Sequence, residues 1–351
     1  MTVSTEPSVL DGSFGEGGGQ MLRTALGLSA ALGRPFAMIN VRTKRRRPGL
    51  QTQHLLAVKA LGELTDAVVE GAAIGSTRLL FKPRRKPKGR IEALAGTAAS
   101  IALIAQPLII AAYSHEGEIS ADLEGGTDVP MAPTVDYVTL VEQPTLKGIG
   151  VSFALEVKAR GFYPRGGGRA FLVVDGWAGR PIEVGPRTHG VSLLKGTSVA
   201  CSLPRHVIER QAEGARTALA KALGVDVIIE LTQADCPSVG SSVTLAAEAI
   251  PWTLGSDALG ERGKRAEMVG MEAASRLLTE LSRPSSLDTH MSDMILPFLF
   301  LLGGRVTVPE LTDHVLSNLY VCSALTGKDA SRAQLEVEGR KLYQLSVSAT
   351  G

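Results

Sequence analysis

One order of predicted elements recurs three times along the chain, and this recurrence constrains the fold more than any other feature. The order is helix, strand, helix, strand, strand, in units of about 80 residues. The first unit has a helix after the glycines at 15–19, a strand at 35–41, a helix from Thr52, and strands near 67–70 and 79–81. Such alternation predicts a mixed fold of α-helices and β-strands built from repeated units.

The second and third units repeat this order with matching helix starts. The second unit has a helix near 97–113, a strand near 117–123, a helix from Thr134 to about 146, and strands near 150–157 and 169–174. The third unit has a helix near 290–302, a strand near 305–308, a helix from Thr312 to about 325, and strands near 334–338 and 342–348. In all three units a threonine, which is a favoured N-cap residue, stands where the second helix begins.

A segment of different character separates the second unit from the third. It is predicted to contain a strand at 191–201, a helix at 204–223, strands at 225–232 and 242–250, a glycine-rich surface loop at 255–263, and a helix at 265–281. We therefore predict a catalytic domain made of residues 1–183 and 283–351, interrupted by an inserted α+β domain at 184–282.

Glycines surround one carboxylate where the first helix opens. Gly15 and Gly17–Gly19 flank Glu16, and a helical pattern follows at once. A glycine loop at a helix N-terminus exposes backbone N–H groups to an anion, and Gln20 and Arg23 are expected to point at the same anion. A carboxylate beside a phosphate site indicates a bridging divalent cation. A tight turn that requires positive φ is the simpler alternative.

Two familiar nucleotide motifs do not match this loop. A Walker A loop ends in Gly-Lys-Ser/Thr, whereas this one ends in Gly19-Gln20-Met21. The dinucleotide fingerprint needs a glycine at the position of Gln20.

Basic residues are concentrated in two short runs although the net charge is only +2. Residues 42–47 hold five cations in six positions, and residues 82–90 hold six in nine. Local clusters on a nearly neutral protein indicate a polyanion site, with a solvated loop as the alternative, above all for 82–90.

Three cysteines, far apart and odd in number, predict no disulfide framework and no zinc site. The N-terminus has no apolar signal segment, and the longest apolar run, 101–113, is too short to span a bilayer. These features predict a soluble cytoplasmic protein.

Two of the six histidines fall at equivalent positions, because His54 and His314 each lie in the first turn of a second helix. A helix N-terminus disfavours an added proton, and neutral imidazole is the nucleophilic form. Each could equally be a tolerated residue of a capping turn. Asp293, in the segment leading the first helix of unit three, is either a helix cap or a carboxylate that orients a histidine or binds a nucleotide hydroxyl.

Six stretches together resemble the RNA 3′-terminal phosphate cyclase family, in family order and over nearly the whole chain. They are DGSFGEGGGQMLRTA at 11–25, RRPGLQTQH at 46–54, GGTDVPMAP at 125–133, RGFYPRGGG at 160–168, LPRH at 203–206 and TDHVLSN at 312–318. The resemblance implies an α+β fold of three repeated units, each a four-stranded sheet with two helices, plus a small inserted α+β domain.

The resemblance also implies a ligase-class reaction in three steps. ATP adenylates a histidine, AMP passes to an RNA 3′-phosphate to give an RNA-ppA end, and the neighbouring 2′-OH displaces AMP to leave a 2′,3′-cyclic phosphate. The expected substrates are ATP and RNA with a 3′-terminal phosphate, with Mg²⁺ or Mn²⁺ as cofactor. Members of the family often form homodimers, so a homodimer is an expectation too.

The site residues implied by the resemblance fall into four groups. His314 matches the adenylated nucleophile, and Glu16 matches the residue associated with the metal. The phosphate- and RNA-binding wall would comprise Arg23, Arg42, Arg45, Gln53 and His54. The ATP pocket would comprise Gln106, Pro133, His290, Met291, Ser292, Asp293 and Met294, with Asp293 as the ribose contact. His290 stands where many members carry an aromatic residue, and Met294 where Gln is usual, so these departures bear on nucleotide preference.

Two other functions compete with this interpretation. A non-catalytic cyclase-like protein that binds RNA in ribosome assembly would lack the nucleophile, and the presence of His314 argues against it. An enolpyruvyl-type transferase uses a similar unit six times, whereas this chain has only three.

Overall fold

The first unit begins at the N-terminal end of a computed structural model that describes residues 6–349 except 114, 116 and 250. Its elements are β1 (Ser8–Asp11), α1 (Gln20–Leu32), β2 (Phe36–Ile39), α2 (Thr52–Thr65), β3 (Val68–Glu70) and β4 (Leu79–Lys82). Helix α1 ends at Gly33, whose φ of 67° is the left-handed conformation expected of a glycine C-cap.

The second unit has the same order of elements. They are β5 (Gly89–Leu94), α3 (Ile101–Ala111), β6 (Glu118–Gly125), α4 (Val135–Tyr137), α5 (Gln143–Gly148), β7 (Phe153–Ala159) and β8 (Gly168–Asp175). A π-helical segment, Val138–Glu142, joins α4 to α5, so the predicted second helix is continuous but changes its winding. Thr134 caps α4 as predicted, because its hydroxyl accepts a hydrogen bond from the Tyr137 N–H.

The third unit is interrupted after its first strand, β9 (Ile182–Val184). The inserted segment comprises β10 (Leu193–Cys201), α6 (His206–Leu223), β11 (Ile228–Ala234), β12 (Gly240–Ala249), β13 (Trp252–Leu259) and α7 (Ala266–Leu281). The unit then resumes with α8 (Thr289–Met294), α9 (Leu296–Leu302), β14 (Gly304–Val308), α10 (Asp313–Thr326), β15 (Ser331–Val337) and β16 (Arg340–Val347).

The three units share one sheet topology. Their strand orders are β1-β2-β4-β3, β5-β6-β8-β7 and β9-β14-β16-β15. In each, the first two strands pair in parallel and the other two pairings are antiparallel, for example Ser8 opposite Phe36 and Phe36 opposite Phe81 in the first sheet. The prediction of three four-stranded units is therefore confirmed. The inserted segment forms a fourth sheet of order β11-β10-β12-β13.

The helices of the three units share one apolar core. Helix α3 is buried on every side except at Gln106. Side chains from α1, α3, α9 and α10 form one cluster, exemplified by Leu26, Ile104, Leu299 and Leu319. The inserted segment has its own core between its sheet and α6 and α7. That separate core supports the predicted inserted domain at 184–282, although the exact boundaries stay a prediction.

Several local predictions differ from the structure. The predicted loop at 255–263 is largely strand β13. Position 255 of this strand requires glycine, because a Cβ there would lie 2.3 Å from Val141 Cγ2. The N-cap of α2 is Gln51, and Thr52 is the first helical residue. The short first strand of each unit, β1, β5 or β9, was not predicted.

Two cysteines are also paired, contrary to the prediction. Cys201 and Cys236 form a disulfide with their Cα atoms 5.4 Å apart. The two cysteines are 35 positions apart, and only the pairing of β10 with β11 brings them together. Their spacing in the sequence therefore could not predict the disulfide. Cys322 is free and buried. Among the described residues, no helix is long and apolar enough to cross a membrane.

Candidate active site

A cavity of about 780 Å³ lies where the three units and the inserted segment meet. The first unit and α10 supply most of its basic and amide side chains. The second unit supplies apolar residues such as Leu103 and Val129. Most of the predicted site residues line this cavity: Glu16, Arg23, Arg42, Arg45, Gln53, His54, Gln106, Pro133, His290, Asp293, Met294 and His314. Met291 and Ser292 do not, since Met291 is in the core and the Ser292 hydroxyl donates to the Asp288 carbonyl.

The glycine loop leads directly into α1 and packs against His54. A Cβ at Gly19 would lie 2.0 Å from His54 Nε2, so only glycine allows the imidazole this position. The Gln51 N–H donates to His54 Nδ1 at 3.1 Å, which places the ring proton on Nε2. That Nε2 is buried and has no hydrogen-bond partner in the part of the chain that the structure describes. An unpartnered donor beside exposed loop amides suits a phosphate oxygen.

His54 is held neutral mainly by burial. Burial, with the nearby Arg23 and Arg42 cations, lowers its pKa to about 3. The expected neutral imidazole is therefore present, but burial is a larger cause than the helix N-terminus from which it was predicted.

Three arginines of the first unit line the cavity. Burial lowers the pKa of Arg23 to about 10, and its Nε donates to Gln106 Oε1 at 3.2 Å. Arg42 donates to the carbonyls of Arg47 and Gly49, both at 2.9 Å, which fixes its guanidinium. Arg45 forms a 2.8 Å ion pair with Glu16. Three clustered cations with one carboxylate leave an excess of positive charge, which favours an oligophosphate.

Side-chain hydrogen bonds link Asp293 to Gln20 and Gln20 to His314. The Gln20 amide nitrogen donates to Asp293 Oδ2, and the Gln20 amide oxygen contacts His314 Nδ1. Because the amide oxygen can only accept, His314 Nδ1 carries the proton and Nε2 keeps its lone pair. Gln20 therefore orients the histidine, whereas it was expected to point at the anion.

Other residues of α10 and α1 hold these three hydrogen-bonded side chains in place. Thr312 caps α10 as predicted, with its hydroxyl accepting from the Val315 N–H at 3.1 Å. The Asn318 amide donates to the Asp293 carbonyl at 2.7 Å, and Thr24 on α1 donates to Asn318 at 2.8 Å. Burial raises the pKa of Asp293 to about 7, and burial lowers the pKa of His314. Asn318 was not among the predicted site residues, because its contact with Asp293 is visible only in the fold.

Glu16 lies between Arg45 and His314. Its Oε2 is 3.0 Å from His314 Nε2, which is also an acceptor when the imidazole is neutral. Such a contact is favourable only with a proton or a cation between the two atoms. Among the described residues, no group of three or more His, Cys, Asp or Glu could hold a metal alone. One carboxylate next to a phosphate site nevertheless fits Mg²⁺, which is commonly held by one or two carboxylates and substrate phosphates.

The apolar residues that line the cavity would suit a nucleobase. They are Leu103, Ile110, Val129, Pro130, Met131, Ala132, Pro133, Leu259, Met294, Pro297 and Phe298. His290 lines the cavity and meets the Tyr137 ring edge-on at 6.0 Å between centroids. Glu142, a buried acid that also lines the cavity, was not predicted as a site residue.

Comparison with known proteins identifies the family. A model of the family "RNA 3'-terminal phosphate cyclase" matches residues 14–331. The chain is 45% identical over 322 residues to the RNA 3'-terminal phosphate cyclase of Staphylothermus marinus, covering 89% of this chain and 90% of the relative. It is 44% identical over 348 residues to that of Hyperthermus butylicus, covering 96% and 95%. It is 41% identical over 319 residues to that of Pyrococcus abyssi, covering 91% and 93%. The chain therefore belongs to the RNA 3′-terminal phosphate cyclase family.

Proposed function

We propose that this protein is an ATP-dependent RNA 3′-terminal phosphate cyclase and that His314 is its nucleophile. Membership of the family supports the activity. The observation that carries the residue assignment is the orientation of His314. Its Nδ1–H donates to the Gln20 amide oxygen, which leaves the Nε2 lone pair on the side of Glu16.

In each step of the proposed reaction, one bond to phosphorus forms and another breaks. His314 Nε2 attacks the α-phosphorus of ATP, and pyrophosphate leaves. An oxygen of the RNA 3′-phosphate then attacks the same phosphorus, and the imidazole leaves with its lone pair. Finally the ribose 2′-OH attacks the RNA phosphorus, gives up its proton, and releases AMP. A terminal phosphate monoester has a poor leaving group, and the second step gives it a good one, AMP, which the 2′-OH displaces in the third step. The covalent intermediate of the first step carries AMP to the RNA.

The other polar residues would bind phosphate and position the reacting groups. Arg23, Arg42, Arg45, Gln53 and the His54 Nε2–H would hold the nucleotide or RNA phosphates. Glu16 would share a Mg²⁺ or Mn²⁺ with those phosphates, and such an ion would neutralise charge on the attacked phosphate. Asp293 would contact the ribose as well as holding Gln20. The roles of Gln106, Pro133, His290 and Met294 in the nucleotide pocket, the homodimer and the cytoplasmic location all stay predictions.

A direct assay follows the RNA end. RNA with a 3′-phosphate, incubated with the protein, ATP and Mg²⁺, should become resistant to phosphatase and should release one AMP per cyclised end. RNA with a 3′-hydroxyl is the control and should not react. If the protein bound RNA but never produced the cyclic end, the non-catalytic cyclase-like alternative would replace this proposal.

A further inference from the structure

Glu142 is a buried carboxyl among the residues that line the cavity. It ends the π-helical segment Val138–Glu142, and only 2% of its surface is exposed. Its Oε2 has no hydrogen-bond partner among the residues that the structure describes. Burying a polar group without a partner is costly, so such a group in a cavity wall indicates a hydrogen bond to a ligand.

Apolar side chains lie near Glu142. The preceding residue, Val141, packs with Tyr137 and Ala246 in a small apolar cluster that Met294 joins. Met294 also lines the cavity, next in sequence to Asp293. If the phosphates contact Arg23, Arg42 and Arg45, as the proposed function requires, the base is left to the apolar residues of the cavity. The inference therefore rests on the proposed function.

We propose that Glu142 recognises the nucleobase of ATP, with its carboxyl group donating a hydrogen bond to a ring nitrogen of adenine and accepting one from the neighbouring amino group. A protonated carboxyl offers one donor and one acceptor side by side. Adenine presents the complementary pair, an N7 acceptor beside the N6 amino donor, whereas guanine presents two acceptors, N7 and O6, on the same edge.

The charges near Glu142 favour the protonated form that this pairing needs. Burial, with Asp293 as the second cause, raises the pKa of Glu142 to about 8. Tyr137 and Asp257 are neighbouring ionisable groups, and Glu261, Glu272 and Arg276 line the same cavity. The cavity is also lined by ionisable residues of the first and third units: Glu16, Arg23, Arg42, Arg45, His54, His290 and His314. Arg276 is already bonded to Glu272 and to the Asp257 carbonyl. The pair Glu142 and Asp293 is not a metal site by composition, since no group of three potential ligands exists among the described residues.

The protonation of Glu142 determines how ATP binding should depend on pH. Below its pKa, Glu142 is neutral and can donate to the ring nitrogen. Above it, the carboxylate can only accept, so one of the two hydrogen bonds is lost. ATP binding should therefore weaken as pH rises through about 8.

The test measures equilibrium binding of ATP and GTP to the full-length protein across this pH range. Glu142→Leu should weaken ATP binding about tenfold near pH 7, reduce the preference for ATP over GTP, and remove the pH dependence of ATP binding assigned to Glu142. Glu142→Gln has an amide donor and acceptor that do not titrate, so it should keep ATP affinity and remove the same pH dependence. Glu261→Gln changes an exposed acid of the same cavity and should behave like the unaltered protein.

Three outcomes separate the possibilities. A Glu142→Gln protein with the pH dependence of the unaltered protein would overturn the inference even if Glu142→Leu did not fold. An ATP affinity and base preference unchanged by both variants, with His314 still adenylated, would also overturn it and leave the proposed function intact. An unaltered protein that bound no ATP would overturn both.

Discussion

At the scale of single residues, two glutamines line the same cavity in different surroundings. Gln20 connects Asp293 to His314, whereas Gln53 lies beside His54 on the proposed phosphate wall. A residue that orients a nucleophile acts on the chemical step, and one that binds a phosphate of the substrate acts on affinity.

The two substitutions Gln20→Met and Gln53→Met should therefore change different kinetic quantities. Gln20→Met frees the His314 ring and its tautomer, so adenylation at saturating ATP should slow about 10- to 100-fold with little change in the ATP concentration for half-maximal rate. Gln53→Met should mainly raise that concentration. Single-turnover adenylation kinetics give both quantities. Equal effects of the two substitutions on both would contradict the assigned positioning role of Gln20.

Glu16 is expected to act together with a divalent cation. A carboxylate beside ATP phosphates is repulsive unless a cation bridges them. Glu16→Ala should slow adenylation about 100-fold or more, and raised Mg²⁺ or Mn²⁺ should restore the rate only in part. The measurement is the adenylation rate against metal concentration. A normal rate for Glu16→Ala in the presence of a chelator would mean that Glu16 is only a residue of the turn.

At the scale of elements, the two basic runs lie in different places. Arg42 and Arg45, in the run at 42–47, line the cavity. In the run at 82–90, the Arg84 and Arg85 N–H groups donate to the Thr65 carbonyl at the end of α2, away from the cavity. Of the two runs as the structure describes them, the first therefore contributes to the cavity that we propose binds the RNA end, and the second does not.

Arg45→Ala should weaken RNA binding, and Arg84→Ala is the matched control. We expect Arg45→Ala to reduce affinity for RNA with a 3′-phosphate and to reduce its dependence on salt, because one phosphate contact is lost. The midpoint of thermal unfolding should change little, since the Arg45–Glu16 pair is partly exposed. RNA affinity that responded to neither Arg45→Ala nor added salt would rule out the proposed RNA contact.

The sequence predicted elements better than their contacts. The glycine C-cap at Gly33 and the threonine caps at 134 and 312 were predicted because capping depends on neighbouring residues. The π-helical segment 138–142 was not, since its winding depends on how it packs under β13. The strand β9 has only three residues, and its pairing with β14 lies across the whole inserted segment.

At the scale of the whole molecule, the fold brings together residues that no local pattern connects. Gln20 is 273 residues from Asp293 and 294 from His314, so its bridging role could not be inferred from spacing. Each unit supplies a different part of the cavity lining: the first the glycine loop and arginines, the second apolar residues such as Pro133, and the third His314. The repeated topology explains why both histidines lie in the first turn of the second helix of a unit, His54 at N3 of α2 and His314 at N2 of α10.

Although both histidines lie in the first turn of a second helix, their chemistry differs. The Nε2 of His54 carries a proton and is buried beside Gly19, so it can donate but has no free lone pair. The Nε2 of His314 has its lone pair free because Nδ1 holds the proton. His54 is thus the internal control for the nucleophile.

The most direct test of His314 as the nucleophile is to locate AMP on the protein after incubation with ATP and Mg²⁺. We expect a mass increase of one AMP, a peptide map that places it on His314, and an adduct that is labile in acid and stable in alkali, as a phosphoramidate is. His314→Ala should form no adduct, whereas His54→Ala should still form some. AMP found on a lysine or on His54, or an adduct that survives in His314→Ala, would contradict the assignment of His314 as the nucleophile.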